Sequence, residues 1–279
     1  MTNKRDQDAT EPEGEGQAET AVEAKELHRA VRAEGEAELD RPAASLFWSA
    51  FAGGLAITAT LLAQGAIHGA LPDAPWRDVV VALGYPIGFV IVILGRMQLF
   101  TESTVTAMLP LVTKPSLWAL RRTLRLWGIV IGANLLGTFV AAAAIASGFL
   151  GADPGLRDAM TAVSMKVVEL PPAMVFVNAI PAGMLIAVVA WVLPSAREQS
   201  VLVIFVIGFV VAAGHFSHSI VGSVEAFLLL LSGVAGAGPT LLGFLLPALL
   251  GNLIGGAGLF ALLAHAQVKG EMAETKAAE

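Results

Sequence analysis

The sequence contains no cysteine, a single tyrosine and few charged residues. Of its 279 residues only 14% are charged, whereas a soluble domain carries about a quarter. The absence of cysteine excludes disulfide bonds, thiolate metal sites and cysteine nucleophiles. The sequence also has no glycine-rich P-loop motif, which argues against ATP-driven transport by this chain.

Apolar residues make up 56% of the sequence and are gathered into long blocks, with a mean hydropathy of +0.71. A helix needs about 20 mostly apolar residues to cross the ~30 Å hydrocarbon core of a bilayer. The blocks therefore predict an all-α membrane protein with six transmembrane helices. They cover residues 43–66, 79–111, 117–150, 173–193, 201–231 and 241–264.

The chain ends differ in composition from this apolar region, and most of the negative charge lies in the first 40 residues. We predict a disordered acidic tail over residues 1–17 and a cytoplasmic surface helix over residues 18–41. A six-helix transport domain should cover residues 42–266, followed by a cytoplasmic tail over residues 267–279. We expect no signal peptide, because the first apolar block begins only after Arg41.

Basic residues in the short loops predict the orientation of the chain. Lys114, Arg121, Arg122 and Arg125 follow the second block, and Arg197 follows the fourth. Positive residues favour cytoplasmic loops. We therefore expect both termini in the cytoplasm.

Two polar islands interrupt apolar blocks at related positions. Residues 99–104 read Leu-Phe-Thr-Glu-Ser-Thr, and residues 216–220 read Phe-Ser-His-Ser-Ile. Asn134 and Asn252 follow the islands at nearly equal distances, and each precedes a glycine by three residues. This spacing predicts two three-helix repeats, and because three is odd the second must be inverted. Paired interrupted helices in inverted repeats are typical of transporters and point to the binding site.

The island in the fifth block indicates a helix that breaks inside the bilayer. Residues 201–214 would form a helix only ~21 Å long, too short to cross alone. Non-helical backbone at membrane depth must be buried in protein or line a cavity. We expect Asn134 and Asn252 to brace the two breaks by hydrogen bonds. Small residues should let helices approach closely at Gly132, Gly137, Gly251, Gly255 and Gly256.

These motifs together resemble the formate/nitrite transporter family. Leu99-Phe-Thr101 is similar to the family signature in the broken second helix, and Phe216-Ser-His-Ser219 is similar to Phe-Glu-His-Ser in the fifth. Residues 182–191 resemble the fourth-helix motif and residues 251–256 the sixth-helix motif. The resemblance covers about residues 42–266.

The resemblance implies an aquaporin-like fold and a homopentamer with one pore per protomer. It also implies passage of formate, nitrite or a related small monovalent anion. We expect a proton as a further partner and no cofactor, metal or nucleic acid. The sequence leaves open whether transport is channel-like or proton-coupled. His218 matches the central histidine, and Thr101 matches the threonine that faces it. The other implied pathway residues are Leu99, Phe100, Tyr85, Phe89, Val211 and Lys166.

The sequence departs from the family pattern at several positions. Ser217 replaces the glutamate before the histidine, Gly222 replaces a downstream asparagine, and Gly183 replaces the asparagine of the fourth helix. Arg96 and Glu225 are additional charges inside apolar blocks. Intramembrane charges are usually paired, so we expect Arg96 to pair with Glu225 or Glu102.

His218 is the residue that carries the predicted chemistry. A bare anion is costly at the bilayer centre, whereas a neutral weak acid is not. An imidazole titrates near pH 6.5 when unperturbed, so His218 could protonate the anion while Thr101 holds the ring or the ligand. Lys166 in a vestibule would raise the local concentration of anions.

Three other functions fit parts of the pattern. His215, His218 and Glu225 could form a metal site of a membrane enzyme, although the expected break separates them. An aquaporin-like channel for small neutral solutes is a second alternative, although the sequence has no Asn-Pro-Ala motif. A non-transporting scaffold or sensor that binds partners through its acidic tail is the third.

Overall fold

Helices make up nearly all of the computed structural model, which describes residues 24–278 and their side chains as far as residue 270. The predicted acidic tail over residues 1–17 lies outside the described residues. No β-strand is found between residues 24 and 278. The chain is therefore all-α over this range, as predicted.

Fourteen α-helices follow one another along the described chain. A 3₁₀ turn over Ala82–Gly84 joins α4 to α5, and π-helical segments over Gly238–Leu245 and Ile254–Phe260 flank α13. The α-helices are α1 (Ala24–Asp40), α2 (Ala43–Ala56), α3 (Ala59–Ala70), α4 (Arg77–Val81), α5 (Pro86–Leu94), α6 (Phe100–Thr113), α7 (Leu117–Ala146), α8 (Pro154–Ser164), α9 (Lys166–Glu169), α10 (Pro172–Val192), α11 (Ser200–Ala213), α12 (Ser219–Leu231), α13 (Leu246–Leu253) and α14 (Ala261–Ala278).

Five helical stretches of the described chain are long and apolar enough to cross a membrane. Helices α11 and α12 are also apolar, but each is too short to be counted among them. The apolar sequence of the predicted fifth block is thus divided between these two short helices. The five stretches are Ala43–Ala70, Arg77–Leu94, Leu117–Ala146, Pro172–Val192 and Gly238–Gly270.

The same turn separates α5 from α6 and α11 from α12. Gly95 ends α5 and Gly214 ends α11, and the next residue in each case has a positive φ. These residues are Arg96, with φ 53°, and His215, with φ 54°. Left-handed backbone is uncommon outside glycine. Its occurrence at matching positions means that one unusual turn is built twice in the chain.

Asn134 of α7 holds the first of these turns from outside it. Its side-chain Oδ1 accepts a hydrogen bond from the backbone N–H of Phe100 at 2.9 Å. Its Nδ2 donates to the backbone oxygen of Ala50 at 2.7 Å and to that of Gln98 at 3.0 Å. The amide thereby satisfies an unpaired N–H at the start of α6 and ties the turn to α2.

Asn252 of α13 makes the equivalent contacts at the second turn. Its Oδ1 accepts from the backbone N–H of Ser219 at 2.8 Å. Its Nδ2 donates to the backbone oxygens of Ala179 at 2.8 Å and of Ser217 at 3.0 Å. The two asparagines therefore join each turn to a neighbouring long helix in the same way, α2 in one case and α10 in the other.

Glycines bring these long helices into close contact. A side chain at Gly54 would overlap the backbone oxygen of Asn134, and one at Gly183 would overlap that of Asn252. The predicted close approach is confirmed at Gly137, Gly251, Gly255 and Gly256, where an added Cβ would also overlap neighbouring atoms. It is wrong at Gly132, because no other group lies within 4 Å of the position that its Cβ would take.

The surface helix α1 is docked on the bundle by one buried face. His28, Val31, Gly35 and Leu39 form this face, and it packs on α6, α10 and α14. A side chain at Gly35 would overlap the backbone oxygen of Thr106, so glycine allows the two helices to touch. The acidic helix thus adds to the packed core and is not merely solvated.

Candidate functional site

His218 lies between α11 and α12 and caps the start of α12. Its Nδ1 accepts a hydrogen bond from the backbone N–H of Val221 at 3.2 Å. Its Nε2 lies 2.9 Å from Oγ1 of Thr101, in the first turn of α6. Because Nδ1 is an acceptor, the network assigns the proton of the neutral ring to Nε2, which then donates to Thr101.

The hydrogen-bonded pair joins the two parts of the chain that the sequence singled out. Thr101 and His218 are both buried, and they lie 117 residues apart in sequence. Since each belongs to the first turn or cap of its helix, the N-termini of α6 and α12 face each other at this point. Helix N-termini carry partial positive charge and favour anions.

Apolar side chains surround the pair. The ring of Phe89 meets the His218 ring edge-on with 5.1 Å between centroids, and the Tyr85 ring lies 5.4 Å from Phe89. The side chains that were predicted to narrow the pathway belong to one buried apolar cluster. They are Tyr85, Phe89, Leu99, Phe100 and Val211.

A cavity of about 360 Å³ reaches His218 from one side, and we refer to it as the Lys166 cavity. Tyr85, Ser217 and Glu225 also line it. The ammonium of Lys166 lies 3.3 Å from the carboxylate of Asp78. The lysine predicted for a vestibule is therefore in the same cavity as the histidine, and it is paired with an acid.

A second cavity of about 530 Å³, the Arg96 cavity, lies at the opposite end of α5. It shares no lining residue with the Lys166 cavity, and Glu34, Glu38, Gln98 and Glu102 line it with Arg96. Phe89, in the middle of α5, lies between the two cavities. His218 lines the Lys166 cavity and Thr101 lines neither cavity, so the hydrogen-bonded pair lies at the end of the Lys166 cavity that is next to Phe89.

The predicted partners of Arg96 are wrong. Its guanidinium lies 3.2 Å from the Glu34 carboxylate of α1 and its side chain is 81% exposed, so it does not pair with Glu225 or Glu102. Glu102 lines the Arg96 cavity, whereas Glu225 lines the Lys166 cavity. Arg96 therefore links the turn after α5 to the surface helix α1.

A polar network in the Arg96 cavity was not foreseen. The Glu38 carboxylate of α1 accepts from Gln98 Nε2 at 2.6 Å and from Thr106 Oγ1 at 2.7 Å. Ser103 Oγ donates to Gln98 Oε1 at 3.0 Å. Burial raises the pKa of Glu38, although both hydrogen bonds oppose the shift. Glu34 and Glu38 are four residues apart and so lie on one face of α1. This spacing is the feature of the sequence from which an acidic face on α1 could have been predicted.

The predicted metal-site alternative finds no supporting cluster. Between residues 24 and 270, no three His, Cys, Asp or Glu side chains converge in a way that could hold a metal ion. Both ring nitrogens of His218 already have hydrogen-bonding partners. His215 and Glu225 do line the same cavity as His218.

Comparison with known proteins places the chain in a family. Residues 25–266 match the family described as formate/nitrite transporter. The chain is 40% identical over 253 residues to the inner membrane protein YfdC of Escherichia coli (strain K12), which covers 91% of this chain and 81% of that protein.

Solved structures have a similar fold. A pentameric formate channel with formate bound matches with a TM-score of 0.69 and 19% identity, over 81% of this chain and 97% of the channel. An FNT family ion channel matches with a TM-score of 0.67 and 17% identity, over 86% of this chain and 94% of that one.

The family match covers most of the described residues and agrees with the motifs from which the resemblance was drawn. It confirms the prediction that the chain is a multi-pass membrane transport protein, and it excludes the alternative of a membrane enzyme. The chain belongs to the formate/nitrite transporter family.

Proposed function

We propose that each protomer conducts a small monovalent anion, formate or nitrite, as its weak acid, with His218 as the group that provides the proton. The observation that carries the proposal is the buried His218–Thr101 hydrogen bond of 2.9 Å at the end of the Lys166 cavity. A residue capable of binding a proton at this depth is a functional candidate by default.

The facing helix N-termini give an anion its most favourable position at this pair. The partial charges of α6 and α12 add there, and the Thr101 hydroxyl, which accepts from His218, has its own proton free to donate to a ligand. An anion that reaches this point is stabilised before any proton moves.

Proton transfer then removes the charge. His218 takes up a proton from water in the Lys166 cavity at Nδ1 and gives up the hydrogen bond from Val221. The imidazolium passes its Nε2 proton to the anion, directly or through the Thr101 hydroxyl. The neutral acid crosses the apolar stretch around Phe89 and Leu99 at far lower cost than the anion would. The ring is left neutral with its proton on Nδ1. Loss of that proton to water and uptake of one at Nε2 restore the starting tautomer and the hydrogen bond from Val221.

The architecture that goes with this function is an inverted repeat of two three-helix halves. In it α5 with α6 and α11 with α12 are two spans broken in the middle of the membrane, which gives six spans in total. The paired turns at Arg96 and His215 and the paired asparagines support this arrangement.

We further propose a homopentamer in the inner membrane with both termini in the cytoplasm. The likeness to a pentameric formate channel supports the pentamer, and the relative named as an inner membrane protein supports the location. In this orientation the Arg96 cavity, which α1 borders, opens to the cytoplasm and the Lys166 cavity to the periplasm. The chain then consists of a cytoplasmic helix over residues 18–41, the transport domain over residues 42–266 and a cytoplasmic tail over residues 267–279.

Uptake into proteoliposomes tests this function. The purified protein is reconstituted and offered formate, nitrite, acetate, lactate or hydrosulfide, with glycerol as the neutral solute. We expect uptake of at least one small anion well above that of protein-free liposomes, and exclusion of glycerol.

Two results would contradict the proposal. Passage of glycerol without any anion would favour a channel for neutral solutes. No passage of any solute by a correctly assembled protein would favour a scaffold or sensor.

A further inference from the structure

Glu225 is an acidic side chain on the surface of the cavity that leads to His218. It lies seven residues after His218 on α12, about two helical turns along one face. Its side chain keeps some accessible surface, and it lines the Lys166 cavity. An anion that moves through this cavity must therefore pass a carboxyl group.

The Glu225 carboxyl has no hydrogen-bonding or ion-pair partner among the side chains that the structure describes. Lys166 lines the same cavity, but its ammonium is paired with Asp78 at 3.3 Å. A carboxylate removed from water without a partner is costly, and a bound proton removes that cost.

The other groups of the cavity do not replace Glu225 in this role. Asp78 is balanced by Lys166, whereas Glu169 and His215 are exposed and thus screened by water. Tyr85 is uncharged near neutral pH. The titratable groups that share the cavity with Glu225 are Asp78, Tyr85, Lys166, Glu169, His215 and His218.

The remaining helices packed against α12 add no charge to the cavity. Helix α3 contributes Gln64, which does not titrate, while His68 of that helix lies outside the lining. Arg157 and Asp158 of α8 and Glu102 of α6 also lie outside it. Helix α13 and the segment Gly238–Leu245 contain no titratable residue, and α7 has none beyond its basic first turns.

We propose that Glu225 makes transport depend on pH. The Lys166 cavity admits an anion only when the Glu225 carboxyl carries a proton. With Glu225 ionised, its carboxylate has no partner and lies on the wall of the anion's path, so it repels the anion. With Glu225 protonated, its repulsion is removed from the anion's path and its hydroxyl becomes a hydrogen-bond donor. This inference rests on the proposed function, since it concerns the route to His218.

Uptake of formate at two external pH values tests the inference. The readout is the ratio of uptake at about pH 5.5 to uptake at about pH 7.5. The fraction of neutral formic acid changes with pH equally for every variant, so a difference in this ratio between variants comes from the protein. We expect Glu225→Gln to lower this ratio at least about threefold by raising uptake at the higher pH. Glu169→Gln, the same change at an exposed carboxyl of the same cavity, should keep the wild-type ratio.

The outcomes separate this inference from the proposed function. Absence of uptake by the wild type at both pH values contradicts the proposed function itself. Uptake by Glu225→Gln with the wild-type ratio overturns the inference alone. Glu225→Ser serves as a second neutral variant, and size-exclusion chromatography checks assembly. Failure of both neutral variants to assemble would make the carboxyl a structural group and would also overturn the inference.

Discussion

At the scale of single residues, two asparagines hold the turns from which the site is built. Each accepts one and donates two hydrogen bonds to buried backbone groups. Removing the side chain leaves those groups without partners in an apolar surrounding, and each loss costs about 1 kcal/mol or more.

We therefore expect Asn134→Ala and Asn252→Ala each to lower the free energy of unfolding by about 3 kcal/mol. Denaturant titration in detergent measures the change. Asn178→Ala is the matched control, since the structure shows no hydrogen bond to the Asn178 side chain and the substitution keeps the backbone oxygen that accepts from Ser217. A loss in the control as large as in the two variants would contradict the bracing role.

Some residues of the site could be predicted from the sequence, whereas others could not. Thr101 and His218 stand out because polar residues are rare in apolar blocks, and the structure brings them into contact. The partner of Arg96 could not be found in the same way. Glu34 lies 62 residues earlier, in a helix outside the apolar blocks, and only the docking of that helix brings the pair together.

At the scale of helices, close contact between backbones depends on two glycines at equivalent places. Gly54→Ala and Gly183→Ala each force a methyl group into the backbone oxygen of an asparagine that braces a turn. We expect both variants to lose several kcal/mol of stability, because backbone atoms must shift to relieve the overlap.

Gly132→Ala provides the contrast within α7. It places its methyl group in open space and should gain up to about 1 kcal/mol from helix propensity. Thermal unfolding of the three variants in detergent compares them. A stable Gly183→Ala protein would show that α10 and α13 are free to separate.

Docking of α1 should depend on pH through two groups with opposite effects. Burial, with His265 and Arg32 nearby, lowers the pKa of His28 from its ordinary 6.5 to about 4. The contribution of His28 to the stability of α1 docking is thus complete above about pH 6.5 and is lost as the pH falls towards 4. The pKa of Glu38 is raised, so its contribution is complete at acidic pH and lost as the pH rises.

Hydrogen exchange of residues 24–40 between about pH 4 and pH 8, corrected for intrinsic rates, measures this dependence. We expect His28→Gln to remove the acid-side loss of protection, and Glu38→Gln to remove the loss at higher pH. Glu26→Gln, at an exposed position of α1, should change neither. If both variants kept the wild-type dependence of protection on pH, neither group would control docking and apolar contacts alone would hold α1.

Helix positions followed from composition more readily than helix contacts did. Apolar blocks and polar islands indicated where helices run and where they stop, since both depend on local sequence. The docked face of α1 and its link to Gln98 depend on tertiary packing. The open environment of Gly132 has the same origin, because a glycine pattern alone does not reveal what faces it.

At the scale of the whole molecule, two cavities approach a buried imidazole from opposite ends of α5. Neither cavity could be predicted from the sequence, because each is lined by residues from distant helices. The family membership, by contrast, was readable from an ordered set of short motifs. These features together support our central proposal, that the anion crosses with a proton that His218 supplies.

Simultaneous recording of formate uptake and internal pH in proteoliposomes tests that claim most directly. Wild-type protein should take up formate together with acidification of the interior, above the background of protein-free liposomes. His218→Gln should reduce both signals at least about 100-fold, the size of a general acid–base contribution. Formate uptake by His218→Gln at the wild-type rate, or uptake by the wild type without acidification, would contradict the account.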